Sequence, residues 1–104
     1  MSDALLLEFA AVSADHYRAV NTELGIDPAT GAGDWPPGLL DHTAVITPTG
    51  NLMVFEVWDS RQSQAEFMNT RLAAALGRAG VPAPARVDWF EVLGQHTRPL
   101  AGAG

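Results

Sequence analysis

The alternation of hydrophobic and polar positions predicts four β-strands along the chain. Residues 5–12 form a short, bulky apolar run of the length of a strand. Residues 39–47 and 51–58 alternate between apolar and polar side chains, as half-buried strands do. Residues 85–93 contain bulky Val, Trp and Phe side chains and form the last predicted strand.

Two segments between these strands have the spacing and the capping residues of helices. The first begins at Ser13, an N-cap residue, and ends at Gly25, which suits a left-handed C-terminal stop. The second begins at Asp59, which forms a capping box with Gln62, and runs to about Ala79. Its predicted apolar stripe consists of Ala65, Met68, Leu72, Ala75, Leu76 and Ala79.

The turn between the second and third strands predicts their register. Pro48 and Gly50 fit a type I turn followed by a left-handed residue, so Thr47 lies opposite Asn51. Counting back along both strands gives the pairs of one face. These are Ile46 with Leu52, Ala44 with Val54, His42 with Glu56, and Leu40 with Trp58. The other face carries Thr43, Val45, Met53, Phe55 and Val57.

The order strand–helix–strand–strand–helix–strand predicts an α+β, ferredoxin-like βαββαβ fold. In this fold a four-stranded antiparallel sheet carries two helices on one face, and Met53, Phe55 and Val57 suit the covered face. The opposite face, with Ile46 and Trp58, is too apolar to be left in water. We therefore expect a second copy of the sheet to pack there, giving a homodimer in the form of a dimeric α/β barrel.

A single domain is expected over residues 1–93, followed by a flexible, Gly- and Ala-rich tail at residues 94–104. Within the domain, residues 25–38 form a long loop rich in Gly and Pro. Such a loop is either a lid or binding loop, or a surface insertion or subunit contact. Trp35 lies in this loop, and a large aromatic side chain there is expected to dock on another part of the protein.

Two short motifs carry a family resemblance. A Gly-x-x-x-His segment at residues 38–42 precedes Val-Phe-Glu-Val-Trp-Asp-Ser at residues 54–60, with Phe67 and Leu72 on the following helix. These residues resemble the dimeric α+β barrel superfamily, in particular small proteins similar to antibiotic-biosynthesis monooxygenases. The resemblance spans about residues 5–93 and implies a barrel around a cavity. Its members include cofactor-free monooxygenases, polyketide cyclases, haem-degrading enzymes, isomerases and ligand sensors, so several functions stay open.

The amino-acid composition of the chain restricts the classes of partner that it is expected to bind. The chain has 104 residues, six Arg and no Lys against twelve Asp and Glu, and a net charge of −6. This argues against nucleic acid or an anionic membrane as a partner, and no apolar run approaches the ~20 residues of a membrane span. The absence of Cys excludes disulfides, thiolate catalysis and Cys-type zinc sites. The N-terminus lacks the basic start of a signal peptide, so a cytoplasmic location is expected.

His42 and Glu56 form the sharpest candidate site. Directly opposed residues on neighbouring strands have Cβ atoms ~4.5–5.5 Å apart, within hydrogen-bonding reach. A carboxylate beside an imidazole fixes its tautomer, which makes a general base for a phenol or an activated carbon. The alternative is a buried polar pair with a purely structural role. The three His residues lack the spacing of a metal motif, so we expect no metal and no cofactor.

Further candidates surround this pair. Trp58 would stack on a planar ligand or belong to the core, and Glu8 would be a third polar group in the cavity or part of an edge salt bridge. The remaining candidates for substrate binding are Leu40, Ala44, Val54 and Trp35.

Two functions follow from this set of residues. The first is an enzyme that acts without metal or organic cofactor on a small hydrophobic, aromatic or polyketide-like substrate. It would be of monooxygenase, cyclase or isomerase type, with His42 as the base. The alternative is a non-catalytic ligand-binding or accessory protein with the same barrel. A cavity of a few hundred Å³ is expected for either.

Overall fold

The computed structural model describes residues 2–96 and Arg98 and has the predicted α+β architecture. The strands are β1 (Asp3–Phe9), β2 (Ile26–Asp27), β3 (Ala32–Gly33), β4 (Leu39–Ile46), β5 (Leu52–Trp58) and β6 (Arg86–Glu91). The helices are α1 (Ala14–Leu24), α2 (Arg61–Phe67) and α3 (Ala73–Arg78), and a π-helical turn (Met68–Leu72) joins the last two. Four strands form one antiparallel sheet in the order β4–β5–β1–β6, while β2 and β3 form a small ladder of their own.

The hairpin between β4 and β5 has the predicted register. Gly50 adopts a left-handed φ of 88°, and the backbone N–H of Thr47 donates to the carbonyl of Asn51 at 2.8 Å. His42 lies opposite Glu56, and Ala44 lies opposite Val54. The turn residues therefore align the imidazole with the carboxylate, as the sequence predicts.

The start of β4 departs from the prediction for Leu40. A β-bulge between Leu39 and Asp41 places Leu39, not Leu40, opposite Trp58. Leu40 is 54% exposed as a result. The bulge follows Gly38, where an added Cβ would lie 2.6 Å from side-chain atoms of Ser63. An extra residue unpaired in a bulge reverses the side-chain alternation beyond it.

The assignment of the two sheet faces was wrong. The helices cover the face with Leu52, Val54 and Trp58, all buried, whereas Phe55 on the other face is 47% exposed. His42 and Glu56 therefore lie between the sheet and the helices and not between two sheets. The period of two separates the faces of a strand correctly, but both faces are apolar here, so the pattern does not say which one the helices cover.

The second helix begins and packs differently from the prediction. Its N-cap is Ser60, whose side chain accepts from the backbone N–H of Ser63, and not Asp59. The predicted stripe is wrong at its start, where Phe67 is buried and Ala65 is exposed, and is confirmed at Ala75 and Leu76, which are buried. The π-helical turn rotates the buried face, so that Ala75 and Leu76 pack into the core further along.

The predicted division into a domain of residues 1–93 and a flexible tail stays a prediction, because Thr97 and residues 99–104 lie outside the described residues. Among the residues that are described, no helix has the length and apolar character needed to cross a membrane.

Candidate active site

His42 and Glu56 form a hydrogen-bonded pair under the helices. His42 Nδ1 and Glu56 Oε2 are 2.9 Å apart, and the two side chains are 13% and 9% exposed. A carboxylate only accepts hydrogen bonds, so Nδ1 of His42 carries the hydrogen and donates it. The lone pair of the ring is then on Nε2, which is the atom able to act as a base.

Trp58 supplies the second hydrogen bond to the Glu56 carboxylate. Its indole Nε1–H donates to Oε1 at 3.1 Å, so both carboxylate oxygens accept a hydrogen bond. Trp58 is fully buried, and its ring packs against Phe67 at 5.9 Å between centroids. A buried carboxylate is costly unless it is hydrogen-bonded. Trp58 is therefore a core residue whose hydrogen bond fixes the position of the Glu56 carboxylate.

Tyr17 of α1 binds the free nitrogen of His42. Its hydroxyl lies 2.7 Å from Nε2 and, given the tautomer, donates to it. The two rings are nearly parallel, 6.0 Å apart. Burial raises the pKa of the Tyr17 phenol above its ordinary value, the charge of Glu56 raises it further, and the nearby Asn21 amide acts in the opposite direction. The phenol therefore stays protonated and neutral in the site.

The titration of Tyr17 tests this arrangement. It is the only tyrosine of the chain, so the ultraviolet absorbance of tyrosinate reports on this residue alone. We expect a midpoint above the ordinary value of ~10 in the folded protein, returning to that value in denaturant. Because the folded pKa is the higher one, the associated stability is complete below the ordinary value and is lost as the pH rises through the folded value.

Tyr17→Phe is the control, since it removes both the absorbance change and this part of the alkaline loss of stability. A folded-state midpoint at or below that of the denatured chain would contradict the buried hydrogen bond to His42.

An apolar cavity of about 60 Å³ lies beside this network. Residues that line it from the sheet and the helices include Leu7, Val54, Val20, Leu24, Phe67 and Leu76. Its volume is well below the few hundred Å³ expected from the sequence. Trp35 forms part of the wall, with its ring 5.4 Å from that of His42.

An open groove of about 440 Å³ lies on the other side of Trp35. Trp35 and His42 line both the groove and the cavity. Trp35 is held by a hydrogen bond from Nε1 to the carbonyl of Gly31, and Arg71 anchors the loop by donating to the carbonyls of Leu24 and Asp34. The groove adjoins the inner cavity at Trp35 and His42 and has the size of a small-molecule site.

The structure brings together four of the predicted site residues: His42, Glu56, Val54 and Trp35 all line the cavity. Ala44 is half-buried and packs against the core, but it does not line the cavity.

Two of the predicted substrate-binding residues lie elsewhere. Glu8 pairs with Met53 on the outer face of the sheet, where its carboxylate accepts from Asn51. Leu40 lines the outer groove and not the cavity, because of the bulge. The sequence analysis placed Glu8 in the same cavity as His42, but β1 pairs with β5 so that Glu8 and His42 lie on opposite faces of the sheet.

Tyr17 and Asn21 are site residues that the sequence analysis did not assign. Both lie on the buried face of α1 and line the cavity. Residues 17, 20, 21 and 24 fall on one helical face, and two polar groups on an otherwise apolar stripe need partners. That mismatch was the available signal, although the sequence does not say which strand residues they meet.

Comparison with known proteins supports the fold. No family model and no curated protein matches the sequence. One similar solved structure comes from Chloroflexus aurantiacus J-10-fl and carries the name antibiotic biosynthesis monooxygenase. Its TM-score is 0.66 at 19% identity, and the match covers 93% of this chain and 98% of that chain. Rv0793 from Mycobacterium tuberculosis gives 0.65 at 17% identity, covering 93% of this chain and all of its own. The chain has the ferredoxin-like α+β fold of these structures.

A third structure with this fold contains a ligand. It is the monooxygenase from the gene ActVA-Orf6 of Streptomyces coelicolor in complex with nanaomycin D, with a TM-score of 0.56 at 18% identity, covering 94% of this chain and 92% of its own. What this chain shares with all three proteins is the ferredoxin-like path of the backbone, over more than nine tenths of its length.

Proposed function

We propose that the chain is a small-molecule enzyme that acts on a hydrophobic, aromatic or polyketide-like compound, with His42 as general base and without a metal or organic cofactor. The observation that supports this most is the orientation of His42. Its Nδ1 is fixed by a buried carboxylate, and its basic Nε2 lies at the wall of an apolar cavity. Base catalysis requires a fixed tautomer and a lone pair that the substrate can reach, which here means that the substrate displaces the Tyr17 hydroxyl from Nε2.

The contact with Tyr17 indicates which group the site accepts. Tyr17 presents a phenol O–H to Nε2 at 2.7 Å. A phenolic or enolic substrate offers the same group, and in this proposal it takes the place of the Tyr17 hydroxyl. Proton transfer then places an imidazolium between the Glu56 carboxylate and the substrate anion, an arrangement of alternating charges that stabilises all three groups.

The groove outside Trp35 provides the room that the inner cavity lacks. A two- or three-ring substrate does not fit in about 60 Å³. Rotation of Trp35 out of the wall joins the cavity to the groove and leaves His42 at the junction. The site in this proposal is the combined space, with the flat apolar faces of the substrate against Val54 and Trp35.

Catalysis is not the only use of such a site. In the structure, both nitrogens of His42 already have partners in Tyr17 and Glu56. This favours, as a second candidate, a ligand-binding or accessory protein in which the polar network serves recognition only.

A ligand screen separates the two functions. Thermal shift identifies hydroxyaryl ketones and related bicyclic or tricyclic compounds that stabilise the protein, and each of them is then assayed for product formation. Stabilisation with product supports the enzyme, whereas stabilisation without product supports the binding protein. If compounds of this class neither stabilise the protein nor react, both functions are wrong.

We also propose that the outer face of the sheet pairs with a second copy of the chain. This face exposes large apolar side chains in a band across three strands, namely Val45 on β4, Phe55 on β5 and Phe90 on β6. Exposed apolar patches of this kind mark interfaces, and a sheet face can cover an identical one by two-fold symmetry. The dimer interface is then the face opposite to the cavity.

Light scattering tests the homodimer. We expect twice the chain mass of 11.0 kDa for the wild type and a shift to the single-chain mass for Phe55→Arg, which buries a charge in the interface. Val87→Arg is the matched control, because Val87 is about as exposed but shares the strand parity of Trp89 on the other face. A monomeric wild type, or equal effects of both substitutions, would refute this interface.

A further inference from the structure

One polar group in the cavity is left without a partner. Asn21 lies on α1 one turn after Tyr17, lines the cavity and is 6% exposed. Among the described residues, no acceptor meets its Nδ2 in hydrogen-bonding geometry; the Tyr17 hydroxyl, one turn earlier, is near enough for the amide to lower its pKa but is not a hydrogen-bond partner. A buried N–H group without a partner is destabilising, and asparagine is a poor residue for the interior of a helix. Packing therefore does not account for an asparagine at this position.

We propose that Asn21 donates a hydrogen bond from Nδ2 to a carbonyl oxygen of the ligand. This inference rests on the proposed function of the same cavity and narrows its substrate class to hydroxyaryl ketones and hydroxyquinones. These compounds carry an acidic O–H or C–H for His42 and a second oxygen for Asn21. The ligand is thus recognised at two points on one helical face, near Tyr17 and at Asn21.

The chemistry of the wall favours a carbonyl over a hydroxyl at this end. A hydroxyl brings a hydrogen that itself needs an acceptor, whereas a carbonyl only accepts. On the buried side of α1, Asn21 is flanked by Val20 and Leu24, which supply no side-chain acceptor, and by Tyr17, whose hydroxyl is hydrogen-bonded to His42. The carbonyl is the group that satisfies Nδ2 without creating a new unpaired donor.

The same hydrogen bond would assist proton removal. When His42 takes a proton from a carbon or oxygen conjugated with the carbonyl, negative charge moves onto the carbonyl oxygen. A fixed N–H donor at that oxygen stabilises the anion more than the neutral ligand. Asn21 is in this account a residue that touches the substrate and determines its specificity.

Calorimetric binding of two matched probes tests the proposal. One is a hydroxytetralone, and the other is the tetrahydronaphthol with the same carbon skeleton and a methylene in place of the carbonyl. We expect Asn21→Leu to weaken hydroxytetralone binding about fivefold to tenfold, as loss of one net hydrogen bond does, and to leave tetrahydronaphthol binding unchanged. Asn21→Asp, which offers no N–H donor, loses the carbonyl preference in the same way.

The melting temperature distinguishes a ligand-binding role of Asn21 from a structural one, because the two roles predict changes of opposite sign. Asn21→Leu should raise the melting temperature, because it removes an unpartnered amide from an apolar wall. A lower melting temperature, or equal losses for both probes, would overturn the role of Asn21 and leave the His42 site intact. If the wild type binds neither probe, the proposed site itself fails and this inference with it.

Discussion

Replacing Trp58 by alanine is expected to lower the free energy of unfolding by about 3–5 kcal/mol, the usual cost of deleting a large buried aromatic. Trp58 is fully buried and packs against Phe67 between the sheet and the second helix. Its removal also takes away the N–H donor of Glu56 Oε1 and leaves a buried carboxylate partly unpaired. Chemical denaturation followed by circular dichroism measures the change.

Two further variants separate packing from hydrogen bonding. Trp58→Phe keeps a ring against Phe67 but lacks the N–H, so it should cost about 1–3 kcal/mol and stay folded. Trp89→Ala deletes the same side chain from a half-buried position on β6, where it contacts Arg61, and should cost less than Trp58→Ala. Equal losses for Trp58→Ala and Trp89→Ala would contradict the place given to Trp58 in the core.

Replacing His42 by glutamine is expected to reduce base-catalysed turnover by about 10²–10⁴-fold, the usual contribution of a positioned general base. Anthrone is a suitable probe, since its deprotonated form donates electrons to O₂. One anthrone and one O₂ give one anthraquinone and one water, so the reaction needs no other oxidant. Glutamine retains a hydrogen-bonding side chain beside Tyr17 and Glu56, which favours a folded variant.

The matched control is His96→Gln, which changes an exposed histidine that does not line the cavity. That variant should keep the wild-type rate and the wild-type melting temperature. If His42→Gln and the wild type oxidise anthrone equally fast, His42 is not the base, even if the compound binds in the cavity.

Local sequence signals predicted the alignment of the site but not its surroundings. Pro48 and Gly50 determine the register of β4 and β5, because turn geometry and strand pairing are short-range properties. This was sufficient to pair His42 with Glu56. The bulge at Leu40 was missed, because counting residues from the hairpin turn assumes an uninterrupted ladder, and the register shifts between Leu39 and Asp41.

The covered face of the sheet depends on contacts that a strand pattern does not contain. Phe55 and Val54 are both apolar and differ only in which of them faces the helices. The partner that decides the question is Tyr17 of α1, whose hydroxyl reaches His42 across 25 residues of sequence. A buried tyrosine needs a hydrogen-bond partner, and a polar pair on one strand face needs one too. Pairing the polar groups of different elements that need hydrogen-bond partners would identify the helix-covered face of the sheet from the sequence.

The most direct test of the central claim is nitrogen NMR of the histidine side chains. We expect His42 to be the tautomer with hydrogen on Nδ1, and its Nε2 signal to shift when a hydroxytetralone binds. His42→Gln assigns the signals among the three histidines. A hydrogen on Nε2 of the neutral ring, or His42 signals unchanged at saturating ligand, would contradict the claim that His42 meets the substrate as a base.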